Sequence, residues 1–113
     1  MKNTTLTGRY AEGAVAVFLQ NQEYEIIAQN WRTATCEIDI IALKDRTVYF
    51  VEVKYRAVSA QGDGFAYLTP RKLRQMAYAA NLWAAKNRWR GETVLSGASV
   101  AGVDYQVKFI EQL

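Results

Sequence analysis

Histidine is absent from this chain, and cysteine occurs once, as Cys36. A histidine-based or multi-cysteine zinc centre within one chain is therefore excluded, as is an internal disulfide. A lone thiol accords with a reducing compartment. No apolar run approaches the ~20 residues needed to cross a bilayer, and Met1 to Thr7 carry one lysine and no apolar stretch of signal-peptide length. A soluble, cytoplasmic protein with no membrane association is the expectation. Charge of one sign is not in large excess either: 14 basic against 11 acidic residues leave +3. That is too little for general polyanion binding, so local clusters matter more than the total. Internal repeats and low-complexity segments are missing too.

What is present is 113 residues of which 50% are hydrophobic. That is enough for one core with little room for a second, so a single domain over 1–113 is expected. From about Thr7 to Gln22, Ala11, Ala14, Val15, Phe18 and Leu19 recur at helical spacing, with Thr7 as the N-cap and Glu12 at the edge of the apolar stripe. Tyr24 to Ala28 reads as an edge or first strand. The long loop-like stretch from Arg56 to Leu68, holding Ser59, Gly62 and Gly64, precedes a strong helix start at Thr69-Pro70: Thr as N-cap, Pro at the first helical position. Leu73, Met76, Ala77, Ala80, Trp83 and Ala84 supply its buried face to about Asn87. Thr93 to Ser96 and Val103 to Phe109 alternate as closing strands.

The chemistry lies between the two helices. Cys36 to Leu43 and Val48 to Tyr55 are strand-like segments with acidic residues inside apolar β-type sequence. Alternation puts Glu37, Asp39, Ile41 and Leu43 on one face of the first, and Val48, Phe50, Glu52 and Lys54 on one face of the second. The short connection Lys44-Asp45-Arg46-Thr47 implies an antiparallel hairpin in which Leu43 opposes Val48, Asp39 opposes Glu52 and Glu37 opposes Lys54. Like charges placed opposite one another destabilise a sheet, and a divalent cation between them reverses that penalty. Two carboxylates completed by water and phosphate are what Mg2+ or Mn2+ accepts. Lys54, about 7 Å along the strand from Glu52, would then orient an attacking water or stabilise the transition state.

A bland reading competes. An acidic residue, any residue, then lysine is a common triplet, and in most strands it marks a solvated face. Two observations weigh against that here. The same face carries Ile41, Leu43, Val48 and Phe50, so the sheet is expected to be covered on both sides, where an unpaired carboxylate is costly. Asp39 also falls where hairpin pairing would complete a metal site. At the second helix, Arg71, Lys72 and Arg74 oppose the dipole of the N-terminus they occupy; either they are simply solvated or they serve phosphate binding.

The segments Gly8-Arg9-Tyr10-Ala11-Glu12, Asn30-Trp31-Arg32, Glu37-Ile38-Asp39-Ile40-Ile41-Ala42 and Phe50-Val51-Glu52-Val53-Lys54-Tyr55-Arg56, followed by a Lys72-centred helix start, occur in an informative order. In that order and spacing the chain resembles the small YraN-like predicted endonucleases. That family is part of the PD-(D/E)XK, restriction-endonuclease-like superfamily and is related to archaeal Holliday-junction resolvases. Cys36 stands where family members usually carry glycine. The resemblance implies an α/β, three-layer core with a central mixed sheet flanked by helices, in the order α-β-β-β-α-β with room for one further strand. It implies that Asp39 and Glu52 bind metal, that Lys54 assists the water, that Glu12 lies near the site and that Lys72 contacts the substrate backbone.

The expectation is thus a Mg2+- or Mn2+-dependent nuclease cutting phosphodiester bonds in DNA, branched or structured DNA by analogy. Glu12, Asp39, Glu52 and Lys54 form its catalytic set. Asp39, Glu52 and a backbone carbonyl near Val53 are the metal ligands, Arg56 and Lys72 are the nucleic-acid contacts, and Glu37 is the orienting partner of Lys54 or simply its salt-bridge neighbour. Paired cuts on a symmetric junction would require a homodimer. Two other classes compete: a non-catalytic nucleic-acid-binding module on the same scaffold, and a small protein whose acidic hairpin docks a partner.

Overall fold

The computed structural model describes residues 6–57 and 64–113; Ser59 and Gly62 of the expected loop lie outside the described residues. Helix α1 (Leu6–Asn21) is followed by strands β1 (Glu25–Arg32), β2 (Glu37–Lys44) and β3 (Thr47–Arg56). Helix α2 (Pro70–Lys86) and strands β4 (Glu92–Ala101) and β5 (Gln106–Ile110) complete the order. The expected α/β class is borne out, with the further strand included. The five strands form one sheet in the order β1-β2-β3-β4-β5. Every neighbouring pair is antiparallel except β3 and β4. A parallel pair needs a crossover rather than a hairpin, and the connection that contains α2 supplies it.

The two helices cover opposite faces. Ala11, Val15, Ala16 and Leu19 of α1 pack with Ile40, Ala42, Val51, Val53, Ala98 and Val100. Ala79, Ala80 and Trp83 of α2 pack with Ile41, Val48 and Phe50, the face that alternation assigned to the acidic residues. Trp83 is buried and Trp89 lies against it, so both serve packing. Thr69 caps α2, its Oγ1 accepting from the Lys72 amide at 3.2 Å, and Pro70 opens the helix. Among the described residues no helix is long and apolar enough to cross a membrane.

Several boundaries differ from expectation. Thr7 lies inside α1, which already includes Leu6. β1 runs on to Arg32, and β4 is a continuous strand to Ala101 rather than a short one ending at Ser96. The hairpin is the expected antiparallel one, and its loop has two residues. Leu43 opposes Val48 and Lys44 opposes Thr47, while Asp45 and Arg46 both have positive φ, 51° and 64°. That is a type I′ turn, whose twist matches the flanking strands, built without the glycine or asparagine that usually relieves it. The ladder ends at Ile40 and Val51, three residue pairs short of the expected Glu37 and Lys54. Asp39 with Glu52 and Glu37 with Lys54, expected as further pairs, are not in it.

Candidate metal and nucleic-acid site

The early end of the ladder builds the site. Beyond Ile40, the position that a β2 backbone group would fill is taken by a side chain: Asp39 Oδ2 accepts the Val53 amide at 2.8 Å. The neighbouring edge is irregular as well, because Asn30, which lies between the pairs Gln29–Ile40 and Trp31–Ile38 and so opposite Asp39, has φ 53°. Strict alternation would put Ile38 with Ile40 on the α1 side, yet it packs with Ile41 in the α2-side cluster. The strand therefore turns about Asp39. Local irregularity of this kind re-aims a side chain and ends pairing.

Asp39 is 1% exposed and Glu52 9%. Glu52 is on the α2 side, where Lys72 Nζ of α2 stands 3.0 Å from its Oε2. Across the parallel ladder Glu52 faces Gly97. A Cβ at Gly97 would come within 2.8 Å of Leu68 Cδ1, so the bare backbone there admits the segment that precedes α2. Tyr67 then lies over β3 and β4, its hydroxyl directed at the carbonyl oxygens of Glu52 and Ala98 at 3.1 and 3.0 Å. Burial, and after it the charges of Glu52 and Asp39, push the Tyr67 phenol well above its ordinary value of 10.0. Both carboxylates thus act on one point.

The sequence-derived set is distributed around this pair. Val53 lies between the carboxylates; its amide is directed to Asp39, and because N–H and C=O of one strand residue project to the same side, its carbonyl also faces β2 beyond the last ladder pair. Lys54 is exposed, opposite Ser99 on β4. Glu12 is buried at 4% exposure on α1, the helix that packs on β2, β3 and β4. Glu37, expected beside Lys54, instead pairs with its β1 neighbour Arg32, 3.4 Å away. Arg56 ends β3. Its Nη2 would be 2.9 Å from a Cβ on Gly64 and its Nε is buried, so any contact with an anion runs through the outer guanidinium nitrogens. Among the described residues no group of three or more Asp, Glu, Cys or His is placed to hold a metal. Two buried carboxylates are nonetheless the donor type that Mg2+ or Mn2+ accept, since these ions keep several waters and need only one or two carboxylates.

Sequence reading missed a groove. A cavity of about 860 Å³ runs between the 32–37 turn and the first turns of α2, lined among others by Arg32, Arg71, Lys72, Arg74, Gln75 and Tyr78. Tyr78 is tied across it, its hydroxyl 3.1 Å from Thr35 Oγ1. The signal was the spacing of Arg71, Arg74, Gln75 and Tyr78, which is that of one helix face; the contribution of Arg32 came from β1, where spacing carries no information. Lys72 belongs to both places, lining the groove and touching Glu52.

A family match covers this whole site. The chain matches the model of a family described as "Uncharacterised protein family UPF0102" over residues 11–101, a span that includes Glu12, Asp39, Glu52, Val53, Lys54, Arg56 and Lys72. It is 40% identical over 79 residues to a UPF0102 protein of Geotalea uraniireducens, covering 70% of this chain and 62% of that protein. It is 38% identical over 80 residues to a UPF0102 protein of Oleidesulfovibrio alaskensis, covering 71% of this chain and 40% of that protein. A UPF0102 protein of Treponema pallidum is 38% identical over 87 residues, 77% of this chain and 69% of that protein. The match therefore spans less than two thirds of the Geotalea and Oleidesulfovibrio proteins.

Proposed function

The chain belongs to UPF0102, the YraN-like, nuclease-related family that its motifs resemble, and from that premise we propose that it is a divalent-metal-dependent nuclease acting on DNA. One observation carries the reading: two buried carboxylates, Asp39 and Glu52, stand on adjacent strands where the ladder between those strands has ended. A buried acidic pair is costly without counter-charge. A solvated or merely docking hairpin would not need to keep it inside.

In this reading Asp39, Glu52 and the Val53 carbonyl would hold Mg2+ or Mn2+, which when bound would supply Lewis-acid chemistry to the scissile phosphate and to an attacking water. Lys54, exposed on the face of Glu52, would hydrogen-bond and orient an attacking water. Glu12 supports the carboxylate pair from α1. Tyr67 holds the backbone of Glu52 against β4 and fixes the height of its side chain. Lys72, Arg71, Arg74 and Arg32 receive the sugar-phosphate backbone in the groove, with Arg56 beyond Lys54. The substrate is DNA, branched or otherwise structured, by the resemblance to the junction-resolvase relatives.

A nucleic-acid-binding module without catalysis is the second reading, favoured by the same cationic groove. Calorimetry with Mn2+ on the wild type, Asp39→Asn and Glu52→Gln, beside cleavage of duplex, single-stranded and branched DNA, separates the two. The nuclease reading requires metal-dependent cleavage and loss of both metal binding and cleavage in the variants. DNA binding that persists in chelator, with no cleavage of any substrate, would select the binding module.

A further inference from the structure

We propose that Lys72 is an internal stand-in for the metal: it neutralises Glu52 in the metal-free protein and is displaced towards substrate phosphate when the cation binds. The inference rests on the nuclease reading and deepens it by making metal and nucleic-acid binding interdependent.

Lys72 is the third residue of α2, where a cation is disfavoured by the helix dipole. Its ammonium extends to Glu52 Oε2 at 3.0 Å. Glu52 is 9% exposed, and a carboxylate this buried requires counter-charge. A divalent cation held by the same carboxylate competes with the ammonium, so metal entry must first weaken that ion pair. Lys72 has somewhere to go: its side chain is 32% exposed and it already lines the groove with Arg32, Arg71 and Arg74. Four rotatable bonds move the ammonium without moving the helix. Phosphate in the groove attracts Lys72 away from Glu52 and so assists the metal, and the metal in turn releases Lys72 to the phosphate; such coupling is reciprocal by linkage. Lys54 stands apart from this exchange, exposed and on β3.

The test is Mn2+ calorimetry on the protein without DNA for the wild type, Lys72→Met, Lys72→Arg and the charge-matched control Lys86→Met at the other end of α2. Duplex affinity is measured alongside, with and without Ca2+. Lys72→Met should bind Mn2+ about two- to fivefold tighter than wild type, within what loss of one partly exposed ion pair gives. Lys72→Arg and Lys86→Met should match wild type. In Lys72→Met, duplex binding should weaken, and the gain in duplex affinity that Ca2+ gives the wild type should shrink. Unchanged or weaker Mn2+ binding by Lys72→Met, with wild type binding normally, would overturn the exchange and leave the nuclease reading standing. A wild type that binds no Mn2+ would overturn both.

Discussion

The Val53 amide donates to Asp39 Oδ2 at 2.8 Å, so one acidic side chain closes the hairpin ladder where backbone pairing stops. Asp39 is therefore structural and, in the proposed chemistry, functional at once. A carboxylate has about four acceptor positions, and the bond to Val53 uses one. The two roles should separate by substitution.

Asp39→Ala leaves the amide of buried Val53 without its acceptor and should cost about 1–3 kcal/mol, read as a lower urea midpoint in metal-free buffer. Asp39→Asn keeps a side-chain oxygen for that bond and should unfold close to wild type. Both should lose Mn2+ binding. If Asp39→Asn were as unstable as Asp39→Ala, the charge rather than the hydrogen bond would be holding the ladder end.

The groove makes a claim about salt. Removing one cation that neutralises a phosphate reduces the slope of log affinity against log salt concentration by about one. Arg71→Ala and Arg74→Ala should each flatten the slope by about that amount, and the double variant by about two. Fluorescence anisotropy with a labelled duplex across a salt series measures it. An unchanged slope would mean that these arginines are solvated surface.

The turn between β2 and β3 should be improvable. Asp45 and Arg46 both occupy left-handed backbone, φ 51° and 64°, which costs about 1–2 kcal/mol for an ordinary residue. Replacing the pair with Asn-Gly suits the type I′ geometry and should raise stability by about 1 kcal/mol, seen as a higher urea midpoint at constant m. The site, at the opposite end of the hairpin, should keep its metal affinity.

Most of what could be read from the sequence was local. The Thr69-Pro70 helix start, the short hairpin connection with Leu43 opposite Val48 and the burial of acidic residues in apolar strands all depend on neighbouring residues, and the structure contains each. The rest depended on partners far along the chain. Local propensity ends β4 at Ser96, because Ser96-Gly97-Ala98-Ser99 has little preference for a strand; it is a strand because β3 and β5 pair with it on either side as far as Ala101. The expected pairing of Glu37 with Lys54 failed because β1 continues to Arg32, which sits opposite Glu37. The contact of Lys72 with Glu52 joins α2 to β3 and has no sequence period at all. Hairpin register has Asp39 and Glu52 oppose each other within a ladder, and they adjoin where that ladder ends.

Tyr67 offers a titration of the site from the inside. Its phenol is pushed above its ordinary value of 10.0, first by burial and then by the charges of Glu52 and Asp39. The folded protein thus retains a proton that the unfolded chain releases above pH 10.0, and stability should be intact below that point and fall as pH rises beyond it. Tyr24 shifts the same way, through burial and its bond to Glu111, so Tyr67→Phe should remove part of the alkaline slope and leave the remainder. Urea midpoints between about pH 8 and about pH 11 show this. At the lower end Tyr67→Phe should also be less stable by about 1 kcal/mol, for want of the hydrogen bonds to the carbonyls of Glu52 and Ala98, and the two curves should converge as pH rises. Glu52→Gln removes one of the two charges and keeps the burial, so the phenolate absorbance of Tyr67, taken as the difference from the same protein carrying Tyr67→Phe, should rise at lower pH than in wild type. A coincident titration would mean that the charge of Glu52 does not reach that phenol, and burial alone would then hold the Tyr67 proton.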